Sequence, residues 1–550
     1  MPVINVKLWD LERLVHENLL LSELEELLTN FKAEVTSIEG DDISIEVSHD
    51  RADLFSAEGL ARAIRFWKLI ERPKEIYVSI YKDFKLDITN APRYRPYAFL
   101  MVVRNVSLDD ESIKQIFQLQ EKLHMTYCDD RRLVSIGLYD LDKLKPPIRY
   151  ITVPNASFRP LDHAEVMKLD EILRRVDKGI KYGHLVRKGE YPLLVDSAGN
   201  VLSFPPIINC EDNRVSESTR NILIDVTGTE PKLMAKIITL MSFNVAERGY
   251  GKAEIEVILT CDEALTKTLI DTLKYREYSV SINDIEDIIG VRLDINEVSE
   301  SLIINGYIIK EISNSEIKVR VPPYRVDVIG IVDIIEDVAI GYGYNRIETC
   351  TYPPTHYGEV LGLERFSDVV RELMVGLGFD EVVNFMLIDR DFLAMLMDEK
   401  FIELANPKLK SYSAIRNSLI PSILLSIKRN ADRYAYMKLF EIGDYVKIHG
   451  GSMRIERSLA YGIYGDKVTL TDGLIIMKSL LNTLGMKYEL RETKMRIFIE
   501  GRTAEVLVNN DVVGIVGELH PGVITKLGLS KPIVIGELVL SRLYSKLWLP

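Results

Sequence analysis

Apolar residues recur along this chain with two spacings, every second residue and every third or fourth, and the switches between them divide it into parts. In residues 1–75 the run Val3–Leu8 predicts a strand, the spacing from Leu11 to Leu28 predicts a helix, and Ile43–Val47 alternates like a half-buried strand. The run HDRADLFSAEGLARAIRFW then places Ser56 as an N-cap, with Leu60, Ala61, Ile64 and Trp67 on one helical face. Such a stripe is more often core than ligand box, and Asp50, Arg51 and Asp53 before it read as structural. Residues 76–275 are a mixed α/β region rich in strand signals. Ala98–Val103 predicts a strand, SIKQIFQLQEKLHMTY a helix, and YPLLVDSAGNVLSFPPII a strand–turn–strand bending at Ala198-Gly199-Asn200. In RNILIDVTGT, Ile222, Ile224 and Val226 alternate with more polar positions. A compact unit over 276–350 follows, and residues 351–550 return to helices and strands, ending in the strand-rich AEVLVNNDVVGIVGELHP. No short repeat or low-complexity linker separates these parts.

Composition narrows the class. At 550 residues the chain has room for about three to five domains. With 47% hydrophobic and 27% charged residues, it is neither a disordered chain nor a fibre. The net charge of −13 argues against a general nucleic-acid coat, since nonspecific binding needs an excess of Lys and Arg. Cys128, Cys210, Cys261 and Cys350 lie far apart with no C-x-x-C pair, which offers no zinc ribbon and suggests a reducing compartment. No apolar run approaches a membrane span, and charges at Lys7, Asp10, Glu12 and Arg13 interrupt the N-terminal stretch. The expected location is cytoplasmic.

The segment VPPYRVDVIGIVDIIEDVAIGYGYN carries the most suggestive chemistry. Pro322 and Pro323 stop any helix, Tyr324–Val328 reads as extended, and a helix is expected to begin near Asp333. Asp333, Glu336 and Asp337 then share one face, with Asp327 near the helix start. Four clustered oxygen donors without His or Cys suit Mg²⁺ or Ca²⁺ rather than zinc. Asp333-x-x-Glu336 is equally a capping box, so both readings stand. A two-metal catalytic centre is disfavoured because no nucleophile or phosphate-gripping Lys lies nearby, and Gly341-Tyr342-Gly343 is too short a pattern for a dinucleotide loop.

These runs, with NPKLKSYSAIRNSLIPSILLSIKRN, FEIGDYV and GELHP in order, resemble the β subunits of phenylalanyl-tRNA synthetases across nearly the whole chain. GLYDLDKLKPP, the 191–208 hairpin and DVTGT place the resemblance in the archaeal and eukaryotic branch. The implied fold is α+β and multidomain. It has an N-terminal α/β module (1–75), an editing module (76–275), a winged-helix-like metal-binding module (276–350) and a class II catalytic-core-like antiparallel-sheet domain (351–550). The implied assembly is an (αβ)2 heterotetramer attaching phenylalanine to tRNA(Phe) with ATP, whose α subunit holds ATP and phenylalanine. FEIGDYV has no F-R-x-E before it, and the Gly-rich segment near GELHP leads to no Arg. The core-like domain is therefore expected to lack catalytic groups and to dock α. The resemblance assigns Asp327, Asp333, Glu336 and Asp337 to a Mg²⁺ shared with the α subunit. The acidic helix would repel phosphate, so this module reads as an interface piece rather than a DNA reader.

An apolar pocket rejects an added hydroxyl poorly, so separating tyrosine from phenylalanine calls for a second, hydrolytic site. The resemblance places it in residues 76–275. Its candidates are Leu194 and Ser203 on the hairpin, Arg214 in the next loop, and Asp225 with Thr227 in DVTGT. Asp225 or Thr227 would bond the tyrosine hydroxyl, Arg214 would hold a tRNA phosphate, and Ser203 would orient water. No Ser-His-Asp set is apparent, so hydrolysis would rest on positioning water and stabilising an oxyanion. Two other classes remain: a non-enzymatic paralogue that binds tRNA or protein, and a Mg²⁺-dependent phosphotransferase, against which the missing Walker lysine speaks.

Overall fold

The computed structural model describes residues 2–313, 315–352 and 355–547, and its chain contacts divide into two units, 1–350 and 351–550. Among the described residues no helix is long and apolar enough to cross a membrane.

The first unit opens with a three-stranded antiparallel sheet in which Asp42–Val47 lies between Val3–Lys7 and Ala33–Glu39. The single helix expected over 11–28 is instead two, Leu8–Val15 and Leu21–Thr29. His16 ends the first in a left-handed conformation (φ 67°), its N–H bonding back to the Glu12 carbonyl, and the Glu12 carboxylate accepts from the Leu19 N–H in the link. Ser56 does sit at the N-cap of Ala57–Trp67, but its buried hydroxyl makes no capping bond.

Residues 76–275 centre on a five-stranded sheet of order Val78–Ile80, Glu254–Ile258, Tyr97–Arg104, Ile222–Gly228, Val134–Asp140. One face packs on the helices Asp110–Met125 and Pro231–Glu247, and this core is continuous with that of the first 75 residues. The other face meets a four-stranded sheet that includes Arg149–Val153, Tyr191–Val195 and Val201–Phe204 through Leu100, Tyr139, Tyr150, Leu194, Leu202 and Leu223. The hairpin at 191–204 forms as its pattern predicts. Asp196 accepts the N–H groups of Ala198 and Asn200 across the bend, and Gly199 takes φ +82° there.

Residues 276–350 fold as three strands (Arg276–Ser281, Glu316–Val321, Ile308–Ile312) under the helices Ile282–Ile289, Ile295–Ile304 and Ile331–Tyr342. Val280, Val298, Leu302, Val319, Ile334 and Val338 fill their shared core.

The second unit is a seven-stranded sheet, antiparallel but for the short edge pair Asp380–Glu381 with Met437–His449. Gly362–Gly376 and Leu470–Thr483 cover one face, and Ile420–Asn430 covers the other. Both faces are buried, and Ile533–Val539 is buried along its whole length, apolar but for Gly536 and Glu537.

Candidate functional site

Two adjoining strands of the first unit build a pocket from alternate residues. Val134–Asp140 and Ile222–Gly228 pair antiparallel, with Ser135 opposite Thr227, Gly137 opposite Asp225 and Tyr139 opposite Leu223. The period of two sends Ile136, Leu138, Ile224 and Val226 into the helix-side core and turns the other set toward the facing sheet. There a cavity of about 480 Å³ is lined by Ser135, Gly137, Tyr139, Asp225 and Ser203, with the exposed Arg214 also on its wall.

Asp225 sits at the buried end of this pocket. Burial pushes its carboxyl up to about 7, opposed by a hydrogen bond from Tyr139 and by the charge of Arg95. The Tyr139 hydroxyl lies against Asp225 Oδ1 and 2.8 Å from Ser203 Oγ. Arg214 reaches Asp162 at 2.8 Å. Thus Ser203, Arg214 and Asp225 share one pocket. Thr227 and Leu194 do not reach its wall. Thr227 is buried one layer behind, where its carbonyl and hydroxyl receive Arg95 at 2.7 and 3.2 Å and its hydroxyl lies 2.9 Å from Ser135 Oγ. Leu194 pairs with Ser203 along the hairpin but packs into the inter-sheet core.

A second wall was not anticipated. Glu121 receives Arg131 at 2.6 Å and faces His124 Nδ1 at 3.2 Å, while His124 Nε2 accepts the Ile136 N–H at 2.9 Å. Burial drives His124 down to about 4, so the ring is neutral and its proton lies on Nδ1. Burial alone would raise Glu121, yet His124 and Arg131 hold it at about 2. Tyr139 and Gly137 were missed as well. Their signal was legible, since VSIGLYD alternates as NILIDVT does and pairs with it.

The four acids of the third module do not converge. Arg325 donates to Asp327 at 2.7 Å and to Asp337 at 2.6 Å, and Tyr307 donates to Asp337 at 2.6 Å. Burial works against ionising Asp327, but the Arg325 guanidinium holds it at about 2. The helix starts at Ile331, earlier than expected, and Asp333 turns back to accept the N–H groups of Ile329 and Gly330 at 2.6 and 2.8 Å. Glu336 points outward to Lys32 at 2.9 Å. Among the described residues no group of three or more His, Cys, Asp or Glu side chains is arranged to hold an ion. The donor set therefore does not fit a metal held by this chain: a guanidinium already neutralises two of the carboxylates, and the capping role accounts for a third. Treating the purified chain with EDTA is expected to leave its melting temperature unchanged. A fall of several degrees that Mg²⁺ restores would contradict this.

In the second unit Glu441, on the strand Met437–His449, is buried and receives Arg416 at 2.6 Å. Glu537 accepts the Leu419 N–H at 2.7 Å and the Ser418 hydroxyl at 2.8 Å. Lys438, three residues before Glu441, reaches the Leu377 carbonyl at 3.2 Å, so the charged side chains along this strand are engaged within the unit.

Comparison with known proteins gives this architecture a class. Profiles described as the B3/4 domain, the tRNA synthetase B5 domain and the phenylalanyl tRNA synthetase beta chain CLM domain match residues 82–259, 278–344 and 349–540. The modules are thus those of an aminoacyl-tRNA ligase subunit. The phenylalanine–tRNA ligase beta subunit of Thermofilum pendens is 42% identical over 550 residues, covering 98% of this chain and 97% of its own. That of Methanocaldococcus jannaschii is 37% identical, covering 98% of this chain and all of its own. An N-terminal fragment of the phenylalanyl-tRNA synthetase beta subunit from Pyrococcus horikoshii, solved as a crystal structure, superposes on 62% of this chain with a TM-score of 0.56 at 36% identity, all of that fragment being covered. The chain belongs to the phenylalanine–tRNA ligase β-subunit family.

Proposed function

We propose that the chain is the β half of a cytoplasmic (αβ)2 ligase whose α subunit binds ATP and phenylalanine, and that its own pocket hydrolyses tyrosine wrongly attached to tRNA(Phe). The supporting observation is the buried carboxylate of Asp225, which lines the pocket beside the hydroxyls of Tyr139 and Ser203. A site that accepts a hydrogen bond from the substrate's phenol discriminates far better than an apolar slot, because phenylalanine leaves the acceptor unpaired. In this reading Asp225 receives the tyrosine hydroxyl and Arg214 takes a phosphate of the tRNA end. Ser203 orients a water whose oxygen adds to the ester carbonyl carbon. The carbonyl–ribose bond breaks, the ribose oxygen takes up a proton, and free tyrosine and tRNA leave. Thr227 contributes by holding Arg95 and Ser135 in place. No step passes through a magnesium ion.

Tyrosyl- and phenylalanyl-tRNA(Phe) incubated with the heterotetramer should differ in deacylation rate by roughly 10²-fold in favour of tyrosine. Equal rates would remove the reading.

The second unit also has a small three-stranded sheet (Leu387–Ile388, Ala414–Ile415, Ile402–Glu403), and it offers α an apolar patch around this sheet, where Val383 and Phe385 are 90% and 74% exposed and Leu404 and Leu409 are exposed too. Exposed apolar clusters of this kind suit a permanent partner. Val383→Asp with Phe385→Asp is expected to lower recovery of the α subunit on the tagged chain at least several-fold, without shifting the chain's own melting temperature. Unchanged recovery would place α elsewhere.

A further inference from the structure

We infer that Tyr139 is a specificity-determining positioning residue, which fixes Asp225 so that one carboxylate oxygen faces the pocket while the same hydroxyl orients Ser203. The inference rests on the hydrolytic reading above and adds to it the means by which the acceptor is aimed.

Three observations carry it. Tyr139 is fully buried, and its hydroxyl joins Asp225 on its own sheet to Ser203 on the facing one. Asp225 Oδ1 is engaged by Tyr139, and Asp225 lines the cavity, so its other oxygen is the one available to a ligand. Gly137, directly opposite Asp225 in the register, is the space into which this pair fits: a Cβ there would collide with both Asp225 Oδ1 and the Tyr139 hydroxyl.

A phenol has one proton. The hydroxyl directs it toward Asp225 Oδ1 and Ser203 Oγ, both of which stand as acceptors to Tyr139. A second lone pair of Ser203 remains to accept from water, which leaves an oxygen lone pair of that water free to attack. Tyr139 in this way couples recognition of the substrate hydroxyl to placement of the nucleophile, without touching the substrate itself. The other charged groups around Asp225 are Arg95 behind it and Glu121, Arg131, Asp162, Lys178 and Arg214 on the pocket walls. Among the described residues none of these groups hydrogen-bonds the carboxylate, whereas Tyr139 does, and that bond sets its rotation.

The test is single-turnover deacylation of tyrosyl- and phenylalanyl-tRNA(Phe) by heterotetramers carrying Tyr139→Phe, with enzyme concentration varied. The tyrosyl rate at saturation is expected to fall about 10–100-fold, the worth of a hydrogen bond to a charged group, with half-saturation unchanged, while phenylalanyl hydrolysis, which loses only the placement of water, falls by less. The preference for tyrosine then collapses. Gly137→Ala, which pushes the pair apart from the opposite side, is expected to give the same split, and phenylalanine charging by both variants should match wild type, reporting an intact fold. Wild-type rate and preference in Tyr139→Phe would overturn the inference. So would an equal loss on both substrates with weakened half-saturation, the mark of a merely structural residue. A wild-type enzyme that cleared neither substrate would instead sink the hydrolytic reading itself.

Discussion

Replacing Arg248 with methionine is expected to destabilise the first unit by about 3–5 kcal/mol, the cost of leaving buried carboxylates without their cation. Arg248 is completely buried, donates twice to Asp10 at 2.8 Å and also holds Glu58. Asp10 lies on the first helix of the chain, Glu58 on Ala57–Trp67, and Arg248 just past the end of Pro231–Glu247, so one guanidinium ties the opening module to the sheet that bears the pocket. Arg13 also reaches Asp10, but it cannot serve Glu58, whose second oxygen already lacks a partner. Converting Asp10 and Glu58 to leucine together with Arg248→Met should recover most of the loss, since an apolar cluster of similar volume carries no desolvation cost. Denaturant unfolding of the three proteins measures this. Arg214→Ala, at an exposed pair, is expected to stay within about 1 kcal/mol of wild type. A single variant at Arg248 that unfolds like wild type would show that the cluster contributes nothing net.

The second large effect is on chemistry. Asp225→Ala in the heterotetramer is expected to slow clearance of tyrosyl-tRNA(Phe) by about 10²–10³-fold, comparable to removing a preorganised polar group from a catalytic site. Phenylalanine charging should be untouched, because the pocket lies in the first unit and the activation chemistry is assigned to the partner chain. Mischarged tRNA should therefore accumulate when tyrosine is supplied in excess, measured as tyrosine retained on tRNA(Phe) at steady state. Clearance at the wild-type rate would remove Asp225 from the mechanism.

Much of this was readable from residues, for reasons particular to each. The 191–204 hairpin was legible because two short apolar runs flank a bend whose turn chemistry Asp196, Gly199 and Asn200 supply. The break at His16 was not, since a non-glycine residue in the left-handed region leaves no compositional mark. For the acidic helix, the spacing of Asp333, Glu336 and Asp337 fixes their angles around the axis but not the partner each finds. One turns back on the helix start, one reaches Lys32, and one is drawn inward by Arg325. Arg325 stands two residues before Asp327 in the same motif, so the ion pair was written beside the carboxylates. The pocket showed the reverse failing. Asp225 and Thr227 sit on the same face of one strand, but only the depth of each along the cavity separates the group that lines it from the group that supports Arg95.

The division of labour between two chains is the claim on which the rest depends, and phenylalanine-dependent ATP–diphosphate exchange measures it directly. The purified chain alone is expected to give no exchange above background, and addition of its α partner to establish it. Exchange catalysed by this chain in isolation would contradict the account.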